Sequence, residues 1–392
     1  MGSVEINFGS MNQPPTLIAS RTHSLIVRLF EAELHAKTLL SLYGAVLGTL
    51  QAARADVALI GRGLATARGL NQKHAVKQVD RLLSNPRLDP IELTPAWVTY
   101  VVAQRADIVV AFDWTEFAKD GHSTVALCLI TKGGRATPLL WKSVPTEDIQ
   151  RIAAEDDLLE RLRAAIPESV RITLLADRGF GNQDCYSFLE ALGIDYIIRF
   201  KESVLVTSSN GTSHPAKEYV PKNGRAAAIP NAGVTIDRKL VAQVVCKRAP
   251  KMKQAWCLAS SRGDLLPSEI VNLYSRRFTI EERFCDTKNE HVGMGLSAVR
   301  MKSCDRRDRL LILLALAQVL LHILGAAGES LGMDRLLKVN TRPGRAHSLY
   351  HQGEYYYDAL LTMKSDSASA LLARFDQLLR EHPQCRELFA LL

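Results

Sequence analysis

The chain has 392 residues, 47% hydrophobic and 23% charged, which is enough for two or three domains with a sizeable core. Its formal net charge of +8 favours a polyanionic partner, with nucleic acid ahead of an anionic membrane surface. Seven cysteines with no C-x-x-C pair and no Cys/His cluster at zinc spacing argue against a disulfide framework or zinc centre, and fit a reducing cytoplasm.

Residues 1–20 read as a disordered N-terminus with no signal-peptide pattern. Region 21–96 reads as helical, because apolar pairs recur at three- and four-residue spacing. Within it, DVALIGRGLATARGLNQKHAVKQVDRLL has the outline of a helix-turn-helix. This region is assigned to DNA binding, with Lys73, Lys77 and Arg81 presented by the second helix. An ordinary helical hairpin with a solvated face accounts for the same pattern equally well. The prolines of 86–95 mark a linker. GRGLATARG is only superficially a glycine-rich loop, and no G-x4-G-K-[ST] occurs, so no nucleotide cofactor is expected.

From residue 97 the texture becomes α/β. ADIVVAFDW, STVALCLIT and ATPLLWKSV read as strands, with KGGR as a hairpin signal between the last two. A charged helix, the strand RITLLADRGF, a second helix and the strand IDYIIRF complete 97–200. This order describes a mixed sheet with early hairpins and later crossovers. Residues 201–262 read as a β-rich insertion, 263–330 as the last part of the core, and 331–392 as a C-terminal helical region. The apolar run 310–327 is long enough to span a bilayer, but it carries Gln318 and His322 and reads as a buried core helix, so no membrane partner is expected.

Asp113 and Asp177 each end an apolar strand, where ligand sites of open α/β sheets gather. A capping or turn aspartate is common there too. The stretch YSRRFTIEERFCDTK tips the balance. On one continuous helix, Tyr274, Arg277, Glu281 and Lys288 fall within roughly 60° of arc, bordering the buried face. Three converging carboxylates would repel, at about 4 kcal/mol per pair 4 Å apart. Hard oxygen ligands without His or Cys select Mg²⁺ or Mn²⁺, and two such ions clamp an in-line displacement at phosphorus.

Tyr274, Arg277, Glu281 and Lys288 match the Y-x2-R-x3-E-x6-K signature of bacterial insertion-sequence transposases of family four, and DWTEF at Asp113 and DRGF at Asp177 match its other two acidic motifs. KQVDRLLSN and VGMGLSAVR resemble its transposon-ten-like group. The resemblance covers roughly residues 30–330. It implies a ribonuclease-H-like core with a β insertion, a catalytic triad of Asp113, Asp177 and Glu281, and two Mg²⁺ or Mn²⁺ ions per site. Tyr274, Arg277 and Lys288 would hold phosphates, Arg178 would touch phosphate, and Trp256 would stack on a flipped base unless it is a core strand residue. It further implies cut-and-paste transposition through a DNA hairpin, with terminal inverted repeats and target DNA as partners and a homodimer in the DNA complex. A metal-dependent nuclease without joining activity and a silent DNA-binding remnant are the alternatives. SLYHQGEYYYDALL near the C-terminus reads as a packed surface helix.

Overall fold

The structure, a computed structural model, describes residues 14–147, 151–250, 252–339, 341 and 343–381. Its helical region comprises α1 (Pro14–Phe30), α2 (Ala36–Ala52), α3 (Val57–Arg68), α4 (Gln72–Leu83) and α5 (Pro90–Val102). Residues 14–20 are therefore helical, contrary to the disorder expected for 1–20; residues 1–13 lie outside the described residues. The linker expected at 86–95 is also corrected. Asp89 caps α5 through Ile91 N, and Pro90 stands in the first turn, where its missing N–H costs nothing. Burial of Leu93, Trp97, Val98 and Val101 outweighs the hydrogen bond that Pro95 removes.

α3 and α4 form the expected helix–turn–helix outline, capped by Asp56 and Asn71. The glycines of GRGLATARG serve packing. A Cβ on Gly63 would lie 2.4 Å from the Gly48 carbonyl oxygen, and one on Gly48 would lie 2.3 Å from that of Ile60. Only glycine lets α2 and α3 approach this closely.

The strands are β1 (Asp107–Phe117), β2 (His122–Leu129), β3 (Thr137–Pro145), β4 (Arg171–Ala176), β5 (Asp195–Phe200), β6 (Leu205–Thr207), β7 (Ser213–Pro215), β8 (Ala227–Val234), β9 (Lys239–Lys247) and β10 (Trp256–Ser260). They form one ten-stranded mixed sheet in the order β3-β2-β1-β4-β5-β10-β9-β8-β6-β7. β1, β4 and β5 are parallel, joined through α6 (Arg151–Ala165) and α7 (Gln183–Ala191), and the other pairings are antiparallel. This mixed α/β architecture is consistent with a ribonuclease-H-like core. The strands of 201–262 extend the core sheet instead of standing apart from it. β10 pairs with β5, Leu258 opposite Arg199, and so covers an edge that would otherwise be open.

The single helix expected over 274–288 is two helices, α8 (Pro267–Ser275) and α9 (Phe278–Lys288). The chain tightens between them into i→i−3 hydrogen bonds, Arg277 N to Tyr274 O and Ile280 N to Arg277 O, both 3.0 Å. On a continuous helix Tyr274 and Ile280 would lie about 120° apart. The tighter turn lets both enter one core cluster beneath the sheet.

α10 (Cys304–Ser330) is long and apolar enough to cross a membrane, but 94% of its most apolar stretch is packed inside the protein. Gln318 is satisfied there by Arg283 and Thr287 of α9, each at 3.2 Å. α11 (Leu349–Ala359) is the packed helix expected of SLYHQGEYYYDALL. It crosses α10 so closely that a Cβ on Gly353 would lie 1.8 Å from the Leu321 carbonyl oxygen. α12 (Ser365–Glu381) returns to α1 through Arg21–Asp376 at 2.7 Å.

Candidate catalytic site

Asp113 is not at the end of its strand, since β1 continues to Phe117. What ends there is the parallel neighbour. β1 and β4 pair as far as Phe112 opposite Ala176, so the next residues, Asp113 and Asp177, emerge side by side. Strand alternation puts both on the face of buried Ala111 and Leu175, the face covered by α8 and α9. Glu281 projects from the first turn of α9.

Arg277 occupies the space between two of these acids. Its Nη1 donates to Asp113 Oδ2 at 2.9 Å and its Nη2 donates to Glu281 Oε1. The Arg277 side chain is 7% exposed, Asp113 18% and Glu281 46%. Burial pushes the Asp113 carboxyl up to about 6; Arg277 opposes this, and the charges of Asp177 and Glu281 add to it. Asp177 Oδ1 accepts from Gly179 N at 2.7 Å. The three acids therefore feel one another across a shared space.

Their chemistry suits a hard divalent cation, being carboxylate oxygen throughout. Their present arrangement does not form a cage. Among the described residues no group of three His, Cys, Asp or Glu side chains is placed to hold a metal ion. The Arg277 guanidinium supplies the positive charge instead. In this arrangement Arg277, and not a metal cation, bridges Asp113 and Glu281.

The other candidates divide into fasteners and exposed groups. Tyr274 is buried and meets Trp256 edge-on at 5.0 Å, and burial pushes its hydroxyl up to about 12. Lys288 Nζ donates to Glu116 O at 2.6 Å and to Thr115 Oγ1 at 3.1 Å, with its ammonium 5.1 Å from the centre of the Phe117 ring. α9 is therefore tied to β1 at both ends, by Arg277 and by Lys288. Trp256 is half-buried at the start of β10 and stacks on Phe278, which is 42% exposed. Arg178 is exposed beside Asp177. Lys73, Lys77 and Arg81 stand exposed on α4, in the helical region. Arg81 opens onto a groove of about 590 Å³ between α2 and α4, lined also by Lys37, Ser41, His74 and Gln78.

Two residues escaped the sequence reading. β4 and β5 pair with Leu175 opposite Ile197, so Arg199 comes next to Asp177. Alternation along IDYIIRF put Arg199 on the face of Ile197, and that signal was available. Gln254 sits in a loop and accepts hydrogen bonds from both Arg178 and Arg199; no local pattern marked it.

No curated protein matches the chain. A family model described as the transposase DDE domain matches residues 104–320, from just before β1 into α10 and including Asp113, Asp177 and Glu281; with more than half its length matched, this chain belongs to that transposase family.

Proposed function

We propose that the protein binds transposon ends and cuts and joins DNA there by cut-and-paste transposition. The observation that carries this reading is that Asp113 and Asp177 emerge side by side from adjacent parallel strands while a buried arginine joins Asp113 to Glu281 of α9, all inside the matched domain. Asp113, Asp177 and Glu281 would hold Mg²⁺ or Mn²⁺, two ions per site. Bound there, the ions would supply the charge that activates an attacking oxygen and stabilises a leaving one.

The chain's own residues do the rest. Arg277, released from the carboxylates, turns to the phosphodiester being exchanged, where a guanidinium can pair two oxygens at once. Lys288 and Tyr274 keep α9, and with it Glu281, in register with β1. Trp256 and Phe278 offer an aromatic edge on which an extruded base can stack, as formation of a DNA hairpin intermediate requires. Lys73, Lys77 and Arg81 grip duplex at the helical region, and two protomers act on two ends. A transesterification needs no nucleotide, and the +8 charge suits a DNA partner.

The test uses Asp113→Asn, Asp177→Asn and Glu281→Gln. Each is expected to reduce cleavage of the element's end by at least about 10³-fold, comparable to the loss of a principal electrostatic group, while end binding persists. Full cleavage by any one of them removes that residue from the mechanism. Pre-cut ends incubated with target DNA separate the readings further. Strand joining supports a transposase, whereas hydrolysis alone indicates a nuclease.

A further inference from the structure

Arg178 and Arg199 stand beside Asp177, and among the described residues neither makes an ion pair with a carboxylate. Both converge on one neutral acceptor. Gln254 Oε1 accepts from Arg178 Nη1 at 3.3 Å and from Arg199 Nη2 at 3.1 Å. Arg199 Nη2 also reaches the Ala255 carbonyl at 3.4 Å, and its Nε is buried with no hydrogen-bond partner among the described residues. Several other arginines near the sheet do meet carboxylates. Arg135 meets Asp286 and Glu282, Arg262 meets Asp264, Arg277 meets Asp113 and Glu281, and Arg307 meets Asp120. One amide oxygen cannot neutralise two guanidinium charges, and holding two like charges close together is unfavourable unless an anion joins them.

The sheet register says where that anion would sit. Arg199 follows Asp177 across β4 and β5 on the face that bears the acids, and Trp256 begins the next strand over. The donors are planar forks, the geometry that pairs with phosphate oxygens. We propose that Arg178, Arg199 and Gln254 form a phosphate-binding site that takes the sugar–phosphate backbone of the DNA strand entering the acid cluster. Gln254 holds the two arginines together until a phosphate oxygen replaces its carbonyl. The proposal rests on the transposase reading for the identity of the anion, and it adds two residues, Arg199 and Gln254, that the signature motifs do not contain.

Gln254→Glu tests it, because a structural role and a phosphate role pull in opposite directions. A carboxylate at this position would pair with both arginines. The Tm is expected to rise, while affinity for a linear DNA duplex falls about tenfold and the slope of log affinity against log salt shrinks by about 1.8, two contacts at about 0.9 each. Ser367→Glu on α12 adds the same charge far from the acids and is the control; it should leave the slope as in the unaltered protein. Arg178→Gln with Arg199→Gln should reproduce the loss of slope if Gln254→Glu fails to fold. A wild-type slope in folded Gln254→Glu or in the double variant overturns the site while leaving the transposase reading intact. Failure of the unaltered protein to bind duplex at all overturns the transposase reading, and the site with it.

Discussion

Two regions of this molecule handle charge differently. Around α10 and α11, Arg307 and Asp286 are closed into pairs. Arg307 is fully buried, pairs with the equally buried Asp120, lies 3.8 Å from the centre of the Phe117 ring and donates to His122 Nδ1 at 3.4 Å. Nearby, Asp286 accepts from Arg135 at 2.5 Å and faces His351 at 3.3 Å, while His351 and Tyr350 both reach Glu354. Around Asp177, where β4 ends, the charges stay open, with two arginines sharing one amide and with Asp113 and Glu281 sharing one arginine. Closed pairs hold helices to the sheet. Open ones are the groups proposed to take a charged ligand.

The comparison breaks most visibly at Arg307. Arg307→Met leaves Asp120 buried without its cation, which is expected to cost about 3–5 kcal/mol of stability. Urea unfolding measures it directly. A loss below about 1 kcal/mol would show that the pair is replaceable, and that closure is not what holds α10 to the β1–β2 turn.

His351 sharpens the comparison through pH. Hydrogen bonds to Asp286 and Glu354 push its pKa from 6.5 up to about 9, against the effect of burial. A raised histidine pKa stabilises the folded state fully below the unfolded value, and the contribution is lost as pH rises through the folded value. Stability from this network should therefore be intact below pH 6.5 and decline toward pH 9, by about 2 kcal/mol once solvent screening is allowed for. Arg135 pairs with Asp286 in the same network, and Tyr350, whose hydroxyl burial pushes well above its ordinary value, stays neutral across this range. His351→Gln should flatten the stability profile between those pH values. An unchanged slope would place His351 outside the closed network.

What was legible in the chain follows the reach of each signal. Alternating apolar runs are local, so β1, β2, β4 and β5 could be read directly, and with them the approach of Asp113 to Asp177. Glu281 stands out in the sequence twice, by angle on a continuous helix and by motif spacing; the break between α8 and α9 removes the angular argument, whereas spacing counts residues and survives it. The break itself, at Arg276 and Arg277, carries no glycine or proline, since it answers a tertiary demand to bury Tyr274 and Ile280 together. The prolines of α5 misled for the converse reason. They are local breakers overruled by a capping aspartate and by Trp97, whose Nε1 donates to Pro138 O at 3.0 Å. The joining of β10 to β5 is a pairing between distant segments, and no local pattern announces it. Gln254 depends on that pairing.

Arg277 is where the two regions meet, and it discriminates between them most finely. It is as inaccessible as a structural arginine, 7% exposed, yet its partners are the acids proposed to take the cation. If it is a clasp like Arg307, Arg277→Gln should lower stability by several kcal/mol and leave divalent affinity alone. If it is a place-holder, the substitution should cost little stability, because half-exposed Glu281 is solvated and Asp113 can take up a proton. It would also free both carboxylates. The DNA-free protein should then bind Mn²⁺ about tenfold more tightly, a gain of about 1.4 kcal/mol, read from the loss of the free-ion signal in electron paramagnetic resonance. The place-holder outcome is the expected one, since Glu281 lies outside the core and a surface carboxylate does not need a buried partner. Unimproved Mn²⁺ affinity in a folded Arg277→Gln protein would return Arg277 to the clasps, and leave the proposed chemistry without the freed carboxylates it requires.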